Sequence, residues 1–332
     1  MANKRFDFAY PDLGTATTYA GELALPYLGA ATASNSIEDG LLTRIDGVRN
    51  KAVVSSLVSS DPVVASLCAT TDGNNLDLNE KVLTATDVMV NEALCRKTLY
   101  PTWVAHQMKN RNGEPSDFID FAMSYVAQRA AEQVENFIYK GSSVMGVGLI
   151  GEDGTALTSA HIKASRICLK ATSGAPANYV KTNGGSANTS SNIDDALLAV
   201  YNKAVEISPG ILTKPDVEFI MGPADYAKYL VFLGTQGSGF NAQVTSQDFG
   251  QVSFLGIPVK RAMGMPENAI ILTYASNLFV GTNLGSDMAE AQVVPRYKYD
   301  GSDFIQLIMR FGIGVQVGIQ NDAILGADVT VS

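Results

Sequence analysis

DFIDFAMSYVAQRAAEQVENFIYK, residues 117–140, is the stretch that decides the fold, and it has the pattern of one long two-faced helix. One row of every fourth residue is apolar, at Phe118, Ala122, Val126, Ala130, Val134 and Ile138. A row about half a turn away is polar, at Asp120, Ser124, Gln128, Glu132 and Asn136. Pro115 and Ser116 predict the start and Gly141 the end. At roughly 1.5 Å per residue the helix is about 36 Å long, so we expect a strut.

The composition is typical of a protein that covers part of its surface with other protein. Of 332 residues, only 17% are charged and 46% are hydrophobic, which leaves little charge for the surface of a solitary monomer. The net charge of -9 argues against binding nucleic acid through a basic face. A chain of this length can bury a large core without disulfides or metals.

The three cysteines, Cys68, Cys95 and Cys168, are widely spaced and form no C-x-x-C pair. This favours buried free thiols over a disulfide framework or a zinc site. The N-terminus lacks the apolar core of a signal peptide, and no apolar run reaches the roughly 20 residues of a membrane span. We therefore expect folding in a reducing cytoplasm without membrane contact.

The first part of the chain predicts an arm. Residues 1 to about 35 are rich in Ala, Gly, Thr and Ser, show no sustained period and carry scattered apolar side chains. Such a segment gains little in water alone, so we expect it to lie across a neighbouring surface, with a mobile tail as the alternative.

Strand signals follow from Thr43 to about Trp103. Residues 52–58 and 84–99 have the composition of strands, and Asp72–Asn75 is a turn signal between them. We expect a long hairpin that lies on another surface, because two strands alone are marginally stable in water. Trp103 is interpreted as a packing anchor at the base of this excursion.

Residues 146–151 read GVGLIG, which matches G-x-G-x-x-G. A dinucleotide site would need a helix opening from the glycines and an acidic residue about 20 positions later. Here Glu152–Thr155 predicts another turn, and there is no acid near Lys170. We therefore assign no nucleotide site.

Residues 172–285 predict a compact α/β lobe that begins with a polar loop at 172–192. Asn192 is a helix cap, with Ile193, Leu197, Tyr201 and Ala204 on one face. The pattern then gives a strand at 217–221, a helix at 224–233 with Pro223 before it, and strands at 252–254 and 270–274, which bracket Gly256–Val259.

The clearest strand signal closes the chain. Apolar residues alternate without a break from Ile305 to Ile319, against a row that contains Gly312, Gly314 and Gly318. Residues 289–299 give the partner strand, and Asp300–Ser302 gives the hairpin turn.

Reactive side chains are not concentrated anywhere in the sequence. The two histidines, His106 and His161, have no nearby Cys or His partner, and Asp194 and Asp195 fit the first turn of a helix. No G-x-S-x-G, S-x-x-K or P-loop pattern occurs. We assign no catalytic, cofactor-binding or metal-binding residue and do not expect an enzyme.

The order of arm, β excursion, long helix, α/β lobe and returning hairpin resembles the major capsid protein of tailed double-stranded DNA bacteriophages, the HK-ninety-seven-like fold. Short sequence segments support the resemblance and occur in the same order. They are VENFIYKG at 134–141, VEFIMGPADY at 217–226, FLGIPVK at 254–260 and MPEN at 265–268.

The resemblance implies an α+β fold with an N-arm, an extended E-loop hairpin, a P-domain formed by a long spine helix on a long β hairpin, and an α/β A-domain. The implied ranges are an arm at 1–42, an E-loop at 43–100, a P-domain at 101–145 with the spine helix at 117–140, an A-domain at 146–285, a returning P-domain hairpin at 286–320 and a return to the A-domain at 321–332.

The implied function is a subunit that self-assembles into pentamers and hexamers of an icosahedral phage head enclosing DNA without sequence-specific binding. Implied partners are other copies of the chain, with portal, scaffolding and possibly decoration proteins; assembly would occur in the host bacterial cytoplasm, giving a virion capsid. No long segment precedes the arm, so a fused scaffolding domain is not expected. An encapsulin-like compartment shell is the alternative, and a soluble enzyme with a spatially assembled acidic site is a distant one.

Overall fold

The structure is a computed structural model. It describes residues 17–20, 35–59, 76–95, 97–98, 101, 118–143, 146–151, 157–170, 174–235, 252–283, 290–296, 299 and 301–331. Several predicted features lie outside these residues, namely Cys68, the turn at 72–75, Trp103, His106, Pro115, Ser116, the turn at 152–155 and Asp300.

The described residues form five α-helices and fourteen strands. The helices are α1 (Asn35–Glu38), α2 (Phe118–Lys140), α3 (Ser159–Ala164), α4 (Ile193–Ile207) and α5 (Pro223–Thr235). The strands are β1 (Thr17–Ala20), β2 (Thr43–Ile45), β3 (Lys51–Ser59), β4 (Leu76–Thr84), β5 (Thr86–Cys95), β6 (Tyr179–Lys181), β7 (Val217–Met221), β8 (Val252–Phe254), β9 (Ile257–Arg261), β10 (Ala269–Tyr274), β11 (Leu278–Thr282), β12 (Glu290–Pro295), β13 (Phe304–Val317) and β14 (Ile324–Ala327).

The chain forms two compact units. The first unit consists of residues 1–32, 88–131 and 284–311, and the second of residues 33–87, 132–283 and 312–332. The predicted mixture of helices and strands is confirmed, and the fold is α+β.

The predicted strut is confirmed. Helix α2 begins at Phe118, one residue after the predicted start, and Gly141 follows it with a φ of 70°. Of the predicted apolar row, Ala122, Val126, Ala130, Val134 and Ile138 are all buried. The polar positions 124, 128, 132 and 136 are exposed, so the two faces are those that the four-residue repeat indicates.

Strands β1, β12 and the first part of β13 form an antiparallel sheet in the first unit. Strand β12 pairs with β13 from Glu290↔Arg310 to Pro295↔Ile305, which confirms the predicted closing hairpin. Gly301 in its connection has a φ of 69°. Within the predicted arm, Thr17–Ala20 pairs with β12, whereas the remainder of residues 1–34 lies outside the described residues.

The core of the second unit is a six-stranded sheet in the order β6-β14-β10-β7-β9-β8. Its central strands β7 and β10 are buried at every position, as expected for strands covered on both faces. Helix α4 packs on the sheet through its buried row of Ile193, Ala196, Leu197, Val200 and Ala204. The predicted elements of this lobe are confirmed to within two residues at each end.

One prediction for the second unit was wrong in detail, and two of its strands were not predicted. The polar loop at 172–192 contains strand β6 and a short 3-10 helix at Thr182–Gly185. Residues Ile257–Arg261 form strand β9; Pro258, which lacks a backbone N–H, obscured its strand pattern. Strand β11 was not predicted, and it pairs with the later part of β13 and with β2.

The predicted hairpin exists, but its second strand was placed wrongly. Strand β3 pairs with β4 from Lys51↔Thr84 to Ser59↔Leu76, and this two-stranded ribbon is separate from β5, which pairs with β13. Strand β4 reads LDLNEKVLT, and its charged residues hid its alternation. A ribbon with little buried surface tolerates such residues because most of its positions contact water.

The base of the ribbon lies on a pair of glycines. Gly281 and Gly314 face each other across β11 and β13. A Cβ on Gly314 would lie 2.2 Å from the Thr84 carbonyl oxygen, and one on Gly281 would lie 2.4 Å from Leu83 Cδ2. Gln316 Nε2 also donates to the Val82 carbonyl at 2.9 Å. These glycines of β11 and β13 therefore make room for the ribbon.

Substituting Gly314→Val should destabilise the second unit by about 3 kcal/mol or more, because the new side chain collides with backbone that cannot rotate away. Gly234→Ala is the matched control: nothing lies within 4 Å of its Cβ position, and alanine in a helix should stabilise by about 0.5–1 kcal/mol. Urea unfolding of both variants measures the difference. If the two variants were equally stable, close contact between Gly314 and the ribbon would be contradicted.

Candidate functional site

The G-x-G-x-x-G segment closes the C-terminal end of α2. The Leu149 and Ile150 N–H groups donate to the carbonyls of Ile138 and Tyr139, each at 2.8 Å, and Gly141 N–H donates to Phe137 O at 2.9 Å. These bonds satisfy carbonyls that the end of a helix leaves without partners. In the dinucleotide motif the glycines face the positive N-terminal end of a helix, whereas here they face the C-terminal end of α2 and form a cap.

Close packing explains why this cap contains glycines. A Cβ on Gly148 would lie 2.3 Å from Gly141 N and 2.7 Å from Phe137 O. A Cβ on Gly141, which has a φ of 70°, would lie 2.4 Å from Gly151 O. The spacing that matches a nucleotide motif therefore arises from backbone contact.

The other reactive groups that the sequence offered are dispersed. His161 lies in α3, where its N–H donates to the cap residue Thr158, and Cys168 is buried, which raises the pKa of its thiol to about 11. Cys95 is half-exposed, so the prediction that it is buried was wrong. Among the described residues, no group of three or more His, Cys, Asp or Glu side chains could hold a metal ion. No described helix is long and apolar enough to cross a membrane.

A buried carboxylate joins the segment after the arm to the strut helix. Glu135 is 4% exposed, and it accepts hydrogen bonds from the Ser36 N–H at 3.3 Å and from the Ser36 hydroxyl. The Tyr139 hydroxyl donates to Ser36 Oγ at 3.0 Å, and burial raises the pKa of Tyr139. This network ties α1 to the last turns of α2. The helix pattern did not single out Glu135.

A second buried carboxylate lies in the central sheet. Glu218 on β7 is 2% exposed, and its Oε2 lies 2.6 Å from Lys260 Nζ on β9. Burial raises the pKa of Glu218, although the hydrogen bond and charge of Lys260 act in the opposite direction. Lys260 reaches solvent, so the pair lies at the boundary of the lobe and does not line a closed reactive cavity.

The exposed apolar side chains are the features that suit a binding function. On the ribbon, Val53 is 59% exposed, Leu78 56% and Val82 45%. Val53 and Val82 are directly opposed, and Leu78 lies on the same face because the period of a strand is two. The opposite face carries Val54 and Leu83, which are buried with Val48 and Ala85. We call Val53, Val82 and Leu78 the outer row.

A second set of exposed apolar side chains lies on the helices of the α/β lobe. Leu198 and Val205 on α4 are separated by two helical turns, and Leu230 and Val231 lie on α5. These positions are beside the buried row but point away from the sheet. These four exposed apolar side chains are candidates for contact with protein. The sequence indicated such contact only through its low charge.

The fold is similar to several solved shell proteins. Over 90% of this chain and 90% of the other, it matches the capsid of a native GTA particle with a TM-score of 0.54 and 11% identity. It also matches the SrpI encapsulin of Synechococcus elongatus, over 91% and 90% with a TM-score of 0.51 and 13% identity. A structure from Gordonia phage Cozz matches over 90% and 87%, with a TM-score of 0.50 and 18% identity. No protein-family model and no curated protein sequence matches the chain.

Substituting Lys260→Met should destabilise the protein by about 2 kcal/mol near pH 8, because it leaves Glu218 buried without its cation. Removing one partner of a fully buried pair costs about 3–5 kcal/mol, but Lys260 is 39% exposed and water screens the pair. The folded-state pKa of Glu218 lies above its unfolded value, so the folded state binds more protons and the destabilisation should shrink as the pH falls towards 5.

Urea unfolding at several pH values measures this effect. The double variant Glu218→Gln, Lys260→Met is the control, because it has no ionisable side chain at either position and its own stability should therefore show no pH dependence from this pair. A destabilisation by Lys260→Met that is identical at pH 5 and pH 8 would contradict the assigned pair.

Proposed function

We propose that this chain, which has the HK-ninety-seven-like capsid fold, is the repeating subunit of an icosahedral phage head that encloses double-stranded DNA. The observation that carries the proposal is the ribbon β3–β4, which is anchored at its base and presents the outer row to solvent. A two-stranded ribbon is marginal alone, and an apolar row on its free face suits a neighbouring subunit.

Weak contacts suffice for such an assembly. A subunit in a closed shell makes several contacts at once, so each can be individually weak while the shell is stable. The low charged fraction of 17% leaves apolar surface for these contacts. The outer row and the apolar positions on α4 and α5 are the surfaces that we assign to them.

The charge of the chain is compatible with DNA as contents. A net charge of -9 gives no sequence-independent attraction strong enough to hold the DNA on the wall. We propose that the subunits form pentamers and hexamers in the cytoplasm of a host bacterium, with portal and scaffolding proteins as further partners. The arm at 1–42, the E-loop at 43–100 and the A-domain at 146–285 are the working divisions for this model.

A compartment shell around a protein cargo is the second candidate. Its support is the similarity to the SrpI encapsulin, whose TM-score of 0.51 is close to the 0.54 of the GTA capsid. The two functions differ in contents. Particles isolated from the natural source should contain DNA that resists added nuclease if the chain is a phage subunit, and a defined cargo protein if it is a compartment shell.

Electron microscopy of the purified chain, together with size-exclusion chromatography, tests the proposal directly. Closed shells, tubes or rings of five and six copies are the expected result. A compact monomer or dimer at every protein and salt concentration would contradict it.

Replacing the outer row by Val53→Thr, Leu78→Thr and Val82→Thr should leave the subunit folded and impair its assembly. At Val53 and Val82 threonine keeps the β-branched shape and replaces one methyl group by a hydroxyl, and at Leu78 it gives a smaller, more polar side chain that still suits a strand. Loss of apolar burial at the contact should raise the protein concentration needed for assembly at least tenfold. Light scattering during assembly measures that concentration, and circular dichroism checks the fold.

Leu83→Thr is the control on the opposite face of the same ribbon. Leu83 is fully buried, so this variant should lose about 2–4 kcal/mol of subunit stability. If the outer-row variant assembled at the same concentration as the natural sequence, the ribbon would not be a contact surface.

A further inference from the structure

Leu255 has a backbone conformation that leucine rarely adopts. It forms with Gly256 the two-residue turn between β8 and β9, closed by the pair Phe254↔Ile257. Leu255 has a φ of 50° and Gly256 a φ of 84°. A turn with positive φ at both positions is the one for which Asn-Gly is preferred. Among the described residues, three non-glycine residues have positive φ, and the other two are Asn183 and Asn268, which tolerate it.

The surrounding packing holds this turn in place. The Phe254 ring lies edge-on to Phe219, with centroids 5.9 Å apart, and to Tyr229 at 6.4 Å. The Tyr229 hydroxyl donates to the Ser253 carbonyl at 3.0 Å, and β9 pairs with the buried strand β7. The hairpin therefore presents Leu255 on a fixed base.

Nothing in the described part of the subunit compensates for the strain. Leu255 is 60% exposed, and no atom lies within 4 Å of the position of a Cβ on Gly256. Strained residues that are kept in place by their surroundings commonly have a functional reason. An exposed leucine at such a position lowers the stability of the subunit, because its backbone is strained and its side chain is not buried within the subunit.

We propose that Leu255 inserts into the apolar surface of a second copy of this chain, so that its strain is compensated only on assembly. The inference rests on the proposed shell function and names one of its contact residues. One leucine supplies too little buried area to offset the cost of binding a separate soluble partner. A contact of this size can stabilise an assembly when it is repeated many times around a shell. The binding partner of Leu255 is therefore a second copy of this chain.

The proposed contact is heterologous. A Leu255-to-Leu255 contact would relate two copies by a two-fold axis and close a pair, whereas a ring of copies requires two different surfaces. Strand β8 is at the end of the six-stranded sheet, so the turn lies beside a sheet edge. The exposed side chains of α4 and α5 provide apolar receiving surface in the same unit.

Substituting Leu255→Asn separates stability from assembly. Asparagine suits the turn, so the melting temperature of the unassembled subunit should rise by about 2 °C. The concentration needed for assembly should rise about tenfold, because the apolar contact is lost. Leu255→Met is the matched control: it keeps an apolar side chain of similar volume and should assemble like the natural sequence. Differential scanning fluorimetry and light scattering provide the two readouts.

Each outcome is decisive. If Leu255→Asn assembles at the same concentration as the natural sequence, or lowers the melting temperature, the proposed contact is wrong while the shell function stands. If the natural sequence does not self-associate at all, both proposals fail. A photoreactive benzophenone amino acid at position 255 gives a direct check, since it should form cross-linked dimers in assembled material and none in dilute subunits.

Discussion

Direct contact between backbone segments holds the last turns of α2. A Cβ on Gly264 would lie 2.0 Å from the carbonyl oxygen of Glu135, and a Cβ on Gly148 would lie 2.7 Å from that of Phe137. Contacts this close are possible only with glycine. The buried network of Ser36, Glu135 and Tyr139 contacts the same turns from another segment. The end of the strut is therefore fixed by main-chain geometry.

Much of the architecture could be predicted because its signals are local. The four-residue repeat of α2 and the two-residue alternation of β13 predict a helix and a strand within a few residues of the observed bounds. The errors concern elements whose identity depends on distant parts of the chain. Strand β4 has charged residues because most of it faces water, and β9 contains Pro258. The residues of β4 and β9 do not reveal the neighbouring strands with which they pair, and this pairing is what makes them strands.

The candidate surfaces were less predictable than the fold. The low charged fraction indicated contact with other protein but gave no positions. The residues that form a contact surface depend on which face of a helix or strand remains exposed. For the ribbon, the exposed face is decided by the pairing of Val53 with Val82 and by the glycines that contact the opposite face. The strain at Leu255 is a property of φ, and the letters FLGIP do not reveal it. At Leu255 the chain loses some folding stability, because leucine rarely adopts a positive φ.

The topology of the second unit also determines when a newly made chain can finish folding. Strand β14 lies between β6 and β10, so the six-stranded sheet stays divided until residues 324–327 have been synthesised. Likewise, Thr282 donates to Asp46 across 236 positions, beside the parallel pair β2 and β11. At roughly 5–20 residues per second, the early segments wait on the order of tens of seconds for these partners. An incomplete polypeptide consequently cannot form the complete six-stranded sheet.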